Sequence, residues 1–266
     1  MDLYFCLYSN EKFKKPRESL SNLAEKKGIF KGIFEYDRRW LEKTEFYQDN
    51  TEVLGDINSK GDGWCLWKPY VILESLKNIN DGDVLLYMDA SDTFFGKIEE
   101  YLRTYFLYND ILLVKGGNQN KVYTKRDTFY YMGCDTEAYW NSEQVEAGII
   151  AIKKSTNIIK LMEEYLGHCK DPRIIKDGDN ISGNSNFSEF KEHKYDQSVL
   201  TNIKTKYSIY PNYEIRRYVE CNMWEAKLED INEFERKVER IKSLLGYAED
   251  DVETNLWESE YLNIIK

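Results

Sequence analysis

The residues best placed to do chemistry follow a run of apolar ones. In Asp83-Val84-Leu85-Leu86-Tyr87-Met88-Asp89-Ala90-Ser91-Asp92, the stretch Val84 to Met88 leads into two acids, Asp89 and Asp92. A short continuous apolar run reads as a buried strand. Carboxylates at the end of a parallel strand lie at the sheet edge where open α/β folds take their ligands. Two hard oxygen donors suit Mg²⁺ or Mn²⁺, cations that in turn bind a diphosphate. Such an ion offsets the charge that gathers on a departing diphosphate. The competing reading makes Asp89 and Asp92 caps of the loop or of the turn after the strand.

A second chemistry also places an Asp behind a hydrophobic strand. Phosphohydrolases of the haloacid-dehalogenase type carry a nucleophilic Asp and an acid/base Asp two positions apart. Here Asp92 stands three positions after Asp89, which points its side chain in another direction, and the strand lies far from the N-terminus. This reading, with Asp89 as nucleophile, is kept as an alternative. A non-catalytic sugar-binding module is another, since 21 Tyr and 6 Trp offer rings with one apolar face and one polar edge.

Other chemistry-bearing residues are scattered along the chain. Lys68 follows Trp64 and Trp67 and precedes Pro69. It can reach a diphosphate oxygen as a point charge, or sit solvated at a helix start. Trp64 and Trp67 either pack on the sheet or stack on a sugar. Lys125 and Arg126 read as phosphate contacts or as surface charge. His193 can complete a metal site or cap the helix that begins near Asp196, and Asp196 itself has the character of an N-cap. Glu146 is a second carboxylate suited to acceptor binding or base catalysis, and Gly148 beside it permits close approach of a sugar to the backbone. His168, at the end of an amphipathic helix, reads as structural.

These residues need a scaffold. Leu3 to Tyr8 reads as a buried parallel strand, and Pro16 starts a helix that ends near Gly28. Gly32 to Tyr36 is a second strand and Trp67 to Asn78 a helix. The turn Asn80 to Asp83 precedes the strand Val84 to Met88. A helix Ile98 to Leu107, strands Ile111 to Val114 and Val145 to Ile152, and helices Thr156 to Cys169 and Asp196 to Lys206 follow, with a polar loop from Asp177 to Phe190. Alternation of strands and helices predicts a doubly wound α/β sheet. A charged periodic stretch from Trp224 to Leu245 predicts a surface helix. The simplest organisation is one domain over 1–220, with a C-terminal helical extension over 221–266 packed on it.

Composition narrows the function classes. Of the 266 residues 42% are hydrophobic, enough to bury a sizeable core. The net charge of −10 argues against a nucleic-acid groove, which needs a basic field. The cysteines Cys6, Cys65, Cys134, Cys169 and Cys221 form no knuckle or CxxC pair, so they are expected as free thiols in a reducing compartment. The run Leu3 to Leu7 is too short for a signal segment and lacks a basic flank. No run approaches the roughly 20 apolar residues of a membrane helix. The expectation is a cytoplasmic protein, working at a membrane surface where its acceptor is lipid-linked.

The carboxylate segment has companions in a fixed order. Gly61-Asp62-Gly63-Trp64-Cys65-Leu66-Trp67-Lys68-Pro69 precedes it. Tyr123-Thr124-Lys125-Arg126-Asp127, Glu146-Ala147-Gly148-Ile149-Ile150 and Glu192-His193-Lys194-Tyr195-Asp196-Gln197 follow it. Together they resemble a family of bacterial and viral glycosyltransferases with the GT-A fold, over roughly Leu3 to Tyr210. In that family a WKP segment, a strand ending in a DxD-type motif, an AGI strand and an HxxDQ segment occur in this order. Where its usual motif has a second acid, this chain has Ser91, with Asp92 next.

The resemblance implies a Rossmann-like GT-A fold with a mixed, mainly parallel sheet flanked by helices. It implies transfer of a hexose from a nucleotide diphosphate sugar, UDP-linked by expectation, to a hydroxyl of a glycan or lipid-linked acceptor, assisted by Mn²⁺ or Mg²⁺. Leu7, Tyr8, Ser9, Trp64, Lys68, Asp89, Ala90, Ser91, Arg126, Ala147 and Gly148 would bind the donor, and Asp89, Asp92 and His193 the metal. Asp196, Gln197 and Glu146 would lie at the reacting sugar. There the Asp-Gln pair would bind donor hydroxyls, stabilise an oxocarbenium-like centre or deprotonate the acceptor, outcomes that leave retention and inversion both open.

Overall fold

The computed structural model describes residues 1–56, 59–221, 236–241 and 243. Its centre is a five-stranded sheet of β1 (Leu3–Ser9), β2 (Gly32–Asp37), β3 (Val84–Met88), β5 (Ile111–Gln119) and β6 (Glu143–Lys153), in the order β2-β1-β3-β6-β5. β1 is parallel to β2 and to β3, whereas β6 runs antiparallel to both β3 and β5. The sheet is therefore mixed and mainly parallel, as expected. The reversal at β6 places Met88 opposite Ile149, which brings the end of β3 beside Gly148. A two-stranded sheet of β4 (Thr93–Phe94) and β7 (Val219–Glu220) joins the segment after Asp92 to the C-terminal part.

Both faces of the main sheet are covered, which is why β1 and β3 read as unbroken apolar runs. Helices α1 (Lys14–Lys27) and α3 (Ile98–Tyr105) pack Leu20, Leu23, Ile98 and Leu102 against Leu3, Phe5, Leu7, Leu86 and Met88. On the other face α2 (Trp67–Leu76), α5 (Thr156–Cys169) and α6 (Tyr195–Lys206) bring Val71, Ile72, Met162, Tyr165, Val199 and Leu200 onto Tyr4, Cys6, Tyr8, Leu85 and Tyr87. Between them in the chain lies the short helix α4 (Arg126–Tyr131). α1 stops where predicted, because Gly28 takes the left-handed conformation at φ 64° and its N–H bonds the Glu25 carbonyl.

The expected helix Trp224 to Leu245 falls for the most part outside the described residues. Within it, 236–241 is helical, with Val238 and Ile241 buried. All five cysteines are free thiols. Among the described residues no helix is long and apolar enough to cross a membrane.

Candidate functional site

A cleft of about 140 Å³ opens at the carboxyl ends of β1 and β3, the edge at which parallel strands present ligands. Tyr8 and Ser9 from β1, Trp67 from α2, and Asp89, Ala90 and Ser91 from the turn after β3 all face it. Tyr8 and Trp67 form its aromatic wall, stacked with ring centroids 4.0 Å apart. The Tyr8 hydroxyl donates to Asp62, and burial together with the Asp62 charge raises its pKa, so it stays a neutral donor. Leu7, one position away, points to the opposite face of the sheet and is fully buried in the other half of the core, set apart from the cleft by strand alternation.

The two acids meet despite their spacing. The Asp89 N–H donates to the Gly148 carbonyl at 2.7 Å and so extends the β3–β6 ladder by one residue. The Asp92 N–H then turns back onto the Asp89 carbonyl at 3.0 Å. This tight turn directs both carboxylates over Gly148. A Cβ on that glycine would lie 2.8 Å from Asp92 Oδ2 and 3.2 Å from Asp89 Oδ2. The two oxygens thus border one small space that exists because residue 148 lacks a side chain. A pair of hard oxygen donors over such a space fits Mg²⁺ or Mn²⁺, which are commonly held by one or two carboxylates and complete their shell with water and substrate phosphates. Among the described residues no group of three or more His, Cys, Asp or Glu side chains is arranged around a metal.

Behind the acids lies a buried ionic cluster. The Lys68 ammonium sits 3.2 Å from Asp89 Oδ1 and 3.2 Å from Asp196 Oδ2, and donates to the Ala147 carbonyl at 3.0 Å. The Tyr87 hydroxyl donates to Asp89, and the Tyr165 hydroxyl to Asp196 at 2.9 Å. Burial disfavours the charge on Lys68, but the carboxylates of Asp196 and Asp89 outweigh it and its pKa is raised. Lys68 is thus a fixed internal cation that joins the two acids. Asp196 is buried in the first turn of α6, whose N-cap is Lys194 and has no side-chain cap, so neither Asp196 nor His193 serves as the N-cap. Gln197 donates to the Gln144 side chain of β6 at 3.1 Å. Glu146 pairs with Arg216 and accepts from the Cys221 thiol, which the β4–β7 pairing carries in.

Three expected site residues are engaged elsewhere. His193, read as a metal ligand, has both ring nitrogens against backbone: Nδ1 accepts from the Lys125 N–H at 3.4 Å and Nε2 lies 3.0 Å from the Ile174 carbonyl. The Arg126 guanidinium lies against the rings of both Trp140 and Phe187, which touch each other, and pairs with Asp135 at 2.8 Å, pinning the loop after α5. Trp64 donates its indole N–H to Asp177 at 2.9 Å and carries the Lys176 ammonium over its ring. His168, read as structural, pairs with Glu164 within α5.

Burial, and then the nearby Lys125 charge, push the His193 pKa down to about 3, against weaker opposition from the Ile174 carbonyl and Asp177. The unfolded chain therefore binds a proton that the folded one does not between pH 6.5 and about 3. Stability should be fully present above pH 6.5 and fall as the pH drops, by up to about tenfold in the folding constant per pH unit. Urea unfolding from pH 7 to 4 tests this, since His193→Asn should flatten that part of the slope.

Sequence reasoning passed over several cleft residues: Asn10, Phe13, Gly61, Asp62 and Cys65 complete its lining. Gly61, Asp62, Gly63, Trp64 and Cys65 all have positive φ, from 50° to 94°, a left-handed turn that costs roughly 1–2 kcal/mol for each residue bearing a side chain. The pair Gly61 and Gly63 was its only signal, and nothing marked Asp62, Trp64 or Cys65.

No family model matches the chain. No curated protein matches it in sequence. Among solved structures, it is similar to the apo form of mouse xyloside xylosyltransferase 1, with 11% identity and a TM-score of 0.42 over 80% of this chain and 85% of that one. It is similar to the apo bifunctional glycosyltransferase WbbM, with 11% identity and a TM-score of 0.43 over 76% of this chain. There the chain spans 37% of the other protein's length. It is also similar to the galactosyltransferase LgtC in complex with donor and acceptor sugar analogues, with 14% identity and a TM-score of 0.40 over 98% of this chain and 100% of that one.

Proposed function

We propose that this chain is a glycosyltransferase that moves a hexose from a nucleotide diphosphate sugar, UDP-linked by preference, to a hydroxyl of a glycan or lipid-linked acceptor. The observation that carries the reading is the convergence of Asp89 and Asp92 over Gly148, with Asp89 also lining a cleft that has a stacked aromatic wall. Asp89 and Asp92 would hold Mn²⁺ or Mg²⁺, and when bound the ion offsets charge on the leaving diphosphate. His193 is left out of that set because its ring nitrogens are occupied.

In this reading the Tyr8 and Trp67 rings flank the nucleotide, with Ser9, Ala90 and Ser91 along its path. Asp196, held by Lys68 and Tyr165, faces the sugar with Gln197 beside it, and Glu146 with Arg216 lies on the acceptor side. The bond between the anomeric carbon and the diphosphate oxygen breaks and one to the acceptor oxygen forms. The acceptor proton passes to a carboxylate of the site or to the released nucleoside diphosphate. The transferase domain would cover 1–220, with 221–266 packed against it.

A thermal-shift panel of nucleotides with and without Mn²⁺ tests this directly, because a ligand that binds only the folded state raises its midpoint. UDP with Mn²⁺ should raise it by several degrees, by about 2.7 kcal/mol of added stability at a hundredfold excess over Kd. Asp89→Ala should abolish both the Mn²⁺-dependent part of the shift and hydrolysis of the donor sugar. Turnover of generic phosphate esters without nucleotide-sugar hydrolysis would instead favour the Asp-nucleophile phosphohydrolase.

A further inference from the structure

The left-handed turn Gly61–Cys65 is regular rather than accidental. Its five residues all have positive φ, and two bonds close it: Trp64 N–H to the Lys60 carbonyl at 2.8 Å, and Cys65 N–H to the Gly61 carbonyl at 3.1 Å. A left-handed turn is unfavourable for Asp, Trp and Cys, and such conformations persist only where the surroundings over-determine them. Here the surroundings are the cleft itself.

Both rings of the aromatic wall hang from this turn. The Asp62 carboxylate accepts from the Tyr8 hydroxyl through Oδ2 and from Arg38 Nη1 at 3.0 Å through Oδ1. The Gly61 carbonyl accepts from the Trp67 indole N–H at 2.9 Å. At its other end the turn reaches the buried cluster. The Lys68 N–H that starts α2 donates to the Cys65 carbonyl at 3.0 Å, and the Lys68 ammonium sits 3.2 Å from Asp196 Oδ2. A Cβ at position 61 would lie 2.5 Å from Cys65 Sγ, so the sulfur is held in place by the glycine facing it.

We propose that the turn Gly61–Cys65 is the positioning element of the cleft, fixing the Tyr8–Trp67 wall at a set distance from the Asp196 carboxylate. The inference rests on the reading of the wall as the nucleotide side and Asp196 as the sugar side. Its residues act through others, Asp62 on Tyr8 and Cys65 on Lys68, which in turn holds Asp196. The left-handed backbone is what lets the Asp62 side chain meet the wall while the Cys65 carbonyl meets the start of α2.

Two measurements on the full chain decide it. The first needs no catalysis: amide hydrogen exchange of Trp64 and Cys65 in Asp62→Ala and in Asp196→Asn. If the turn is braced between wall and cluster, both variants speed exchange there by about tenfold or more and leave β3 amides unchanged. Unchanged exchange at Trp64 and Cys65 in both variants overturns the proposal, whether or not the protein transfers sugar.

The second is a kinetic split on nucleotide-sugar hydrolysis. Asp62→Ala should raise KM for the donor about tenfold with little change in kcat, and Asp62→Asn, which tolerates the left-handed region and keeps an acceptor for Tyr8, should restore it. Gly61→Ala, which pushes on the Cys65 sulfur, should lower kcat about tenfold. A fall in apparent kcat in proportion to the folded fraction, with KM unchanged in every variant, overturns positioning in favour of a merely structural turn. A wild-type chain inert toward every nucleotide sugar defeats the functional reading alone, because the exchange measurement stands without it.

Discussion

Lys68→Met should destabilise the fold by about 3–5 kcal/mol at neutral pH, because it strips a buried carboxylate of its counter-charge. The Lys68 and Asp196 side chains are only 3% and 5% exposed, so water cannot take over the role of the ammonium. Asp89, 35% exposed, is the less affected partner. For a chain of this size the deficit corresponds to a fall of about 10 °C in Tm. Its pH dependence identifies the cause. Burial already holds the Asp196 pKa above the usual carboxylate value beside Lys68, and without the ammonium it rises further, so the lost stability is regained below the unfolded pKa and the deficit grows as the pH rises through the folded one. Adding Asp196→Asn should recover much of the loss, since removing both charges is far less costly than leaving one. Activity should not return in the double variant, because the carboxylate facing the sugar is gone. A Tm within about 2 °C of wild type at pH 7 would mean that Lys68 is not the counter-ion the structure makes it.

How much of this was legible beforehand depended on the range of the interaction. β1, β3, α1 and α5 stood close to their expected bounds, since continuous apolar runs, a Gly28 cap and helical spacing are local signals. The run of β6 was legible, but its direction was not, because strand direction is set by how the chain returns and both directions give a buried apolar run. At the site, Asp89 and Lys68 were read from sequence as separate ligands for metal and diphosphate. That they contact each other, and that Asp196 closes the pair, is a long-range fact no spacing encodes. Asp92 looked displaced because it stands one position beyond the second acid of the usual motif, whereas the turn after Asp89 folds it back over Gly148. His193 and Arg126 had the right chemistry for ligands, but the Ile174 carbonyl and the Phe187 and Trp140 rings that occupy them come from distant segments.

Gly148→Ala should leave the fold intact and remove the activity. Gly148 is absent from the residues of positive φ, so an alanine there is an ordinary strand residue on β6, and the added methyl costs the backbone nothing. The methyl carbon would arrive 2.8 Å from Asp92 Oδ2 and 3.2 Å from Asp89 Oδ2, inside the contact distance of a carbon and an oxygen. One or both carboxylates must swing away, and with either movement the two donors no longer border one space. A displacement of about 1 Å in a catalytic group costs on the order of a hundredfold in rate, so Mn²⁺-dependent donor hydrolysis should fall at least that far. The Mn²⁺-dependent part of the UDP thermal shift should vanish with it, while the unliganded Tm stays within a few degrees of wild type. The contrast with Lys68→Met is diagnostic: one variant loses stability and activity together, the other activity and metal response alone. A Gly148→Ala protein that kept its Mn²⁺-dependent turnover would show that the space between Asp89 and Asp92 is not where the ion binds.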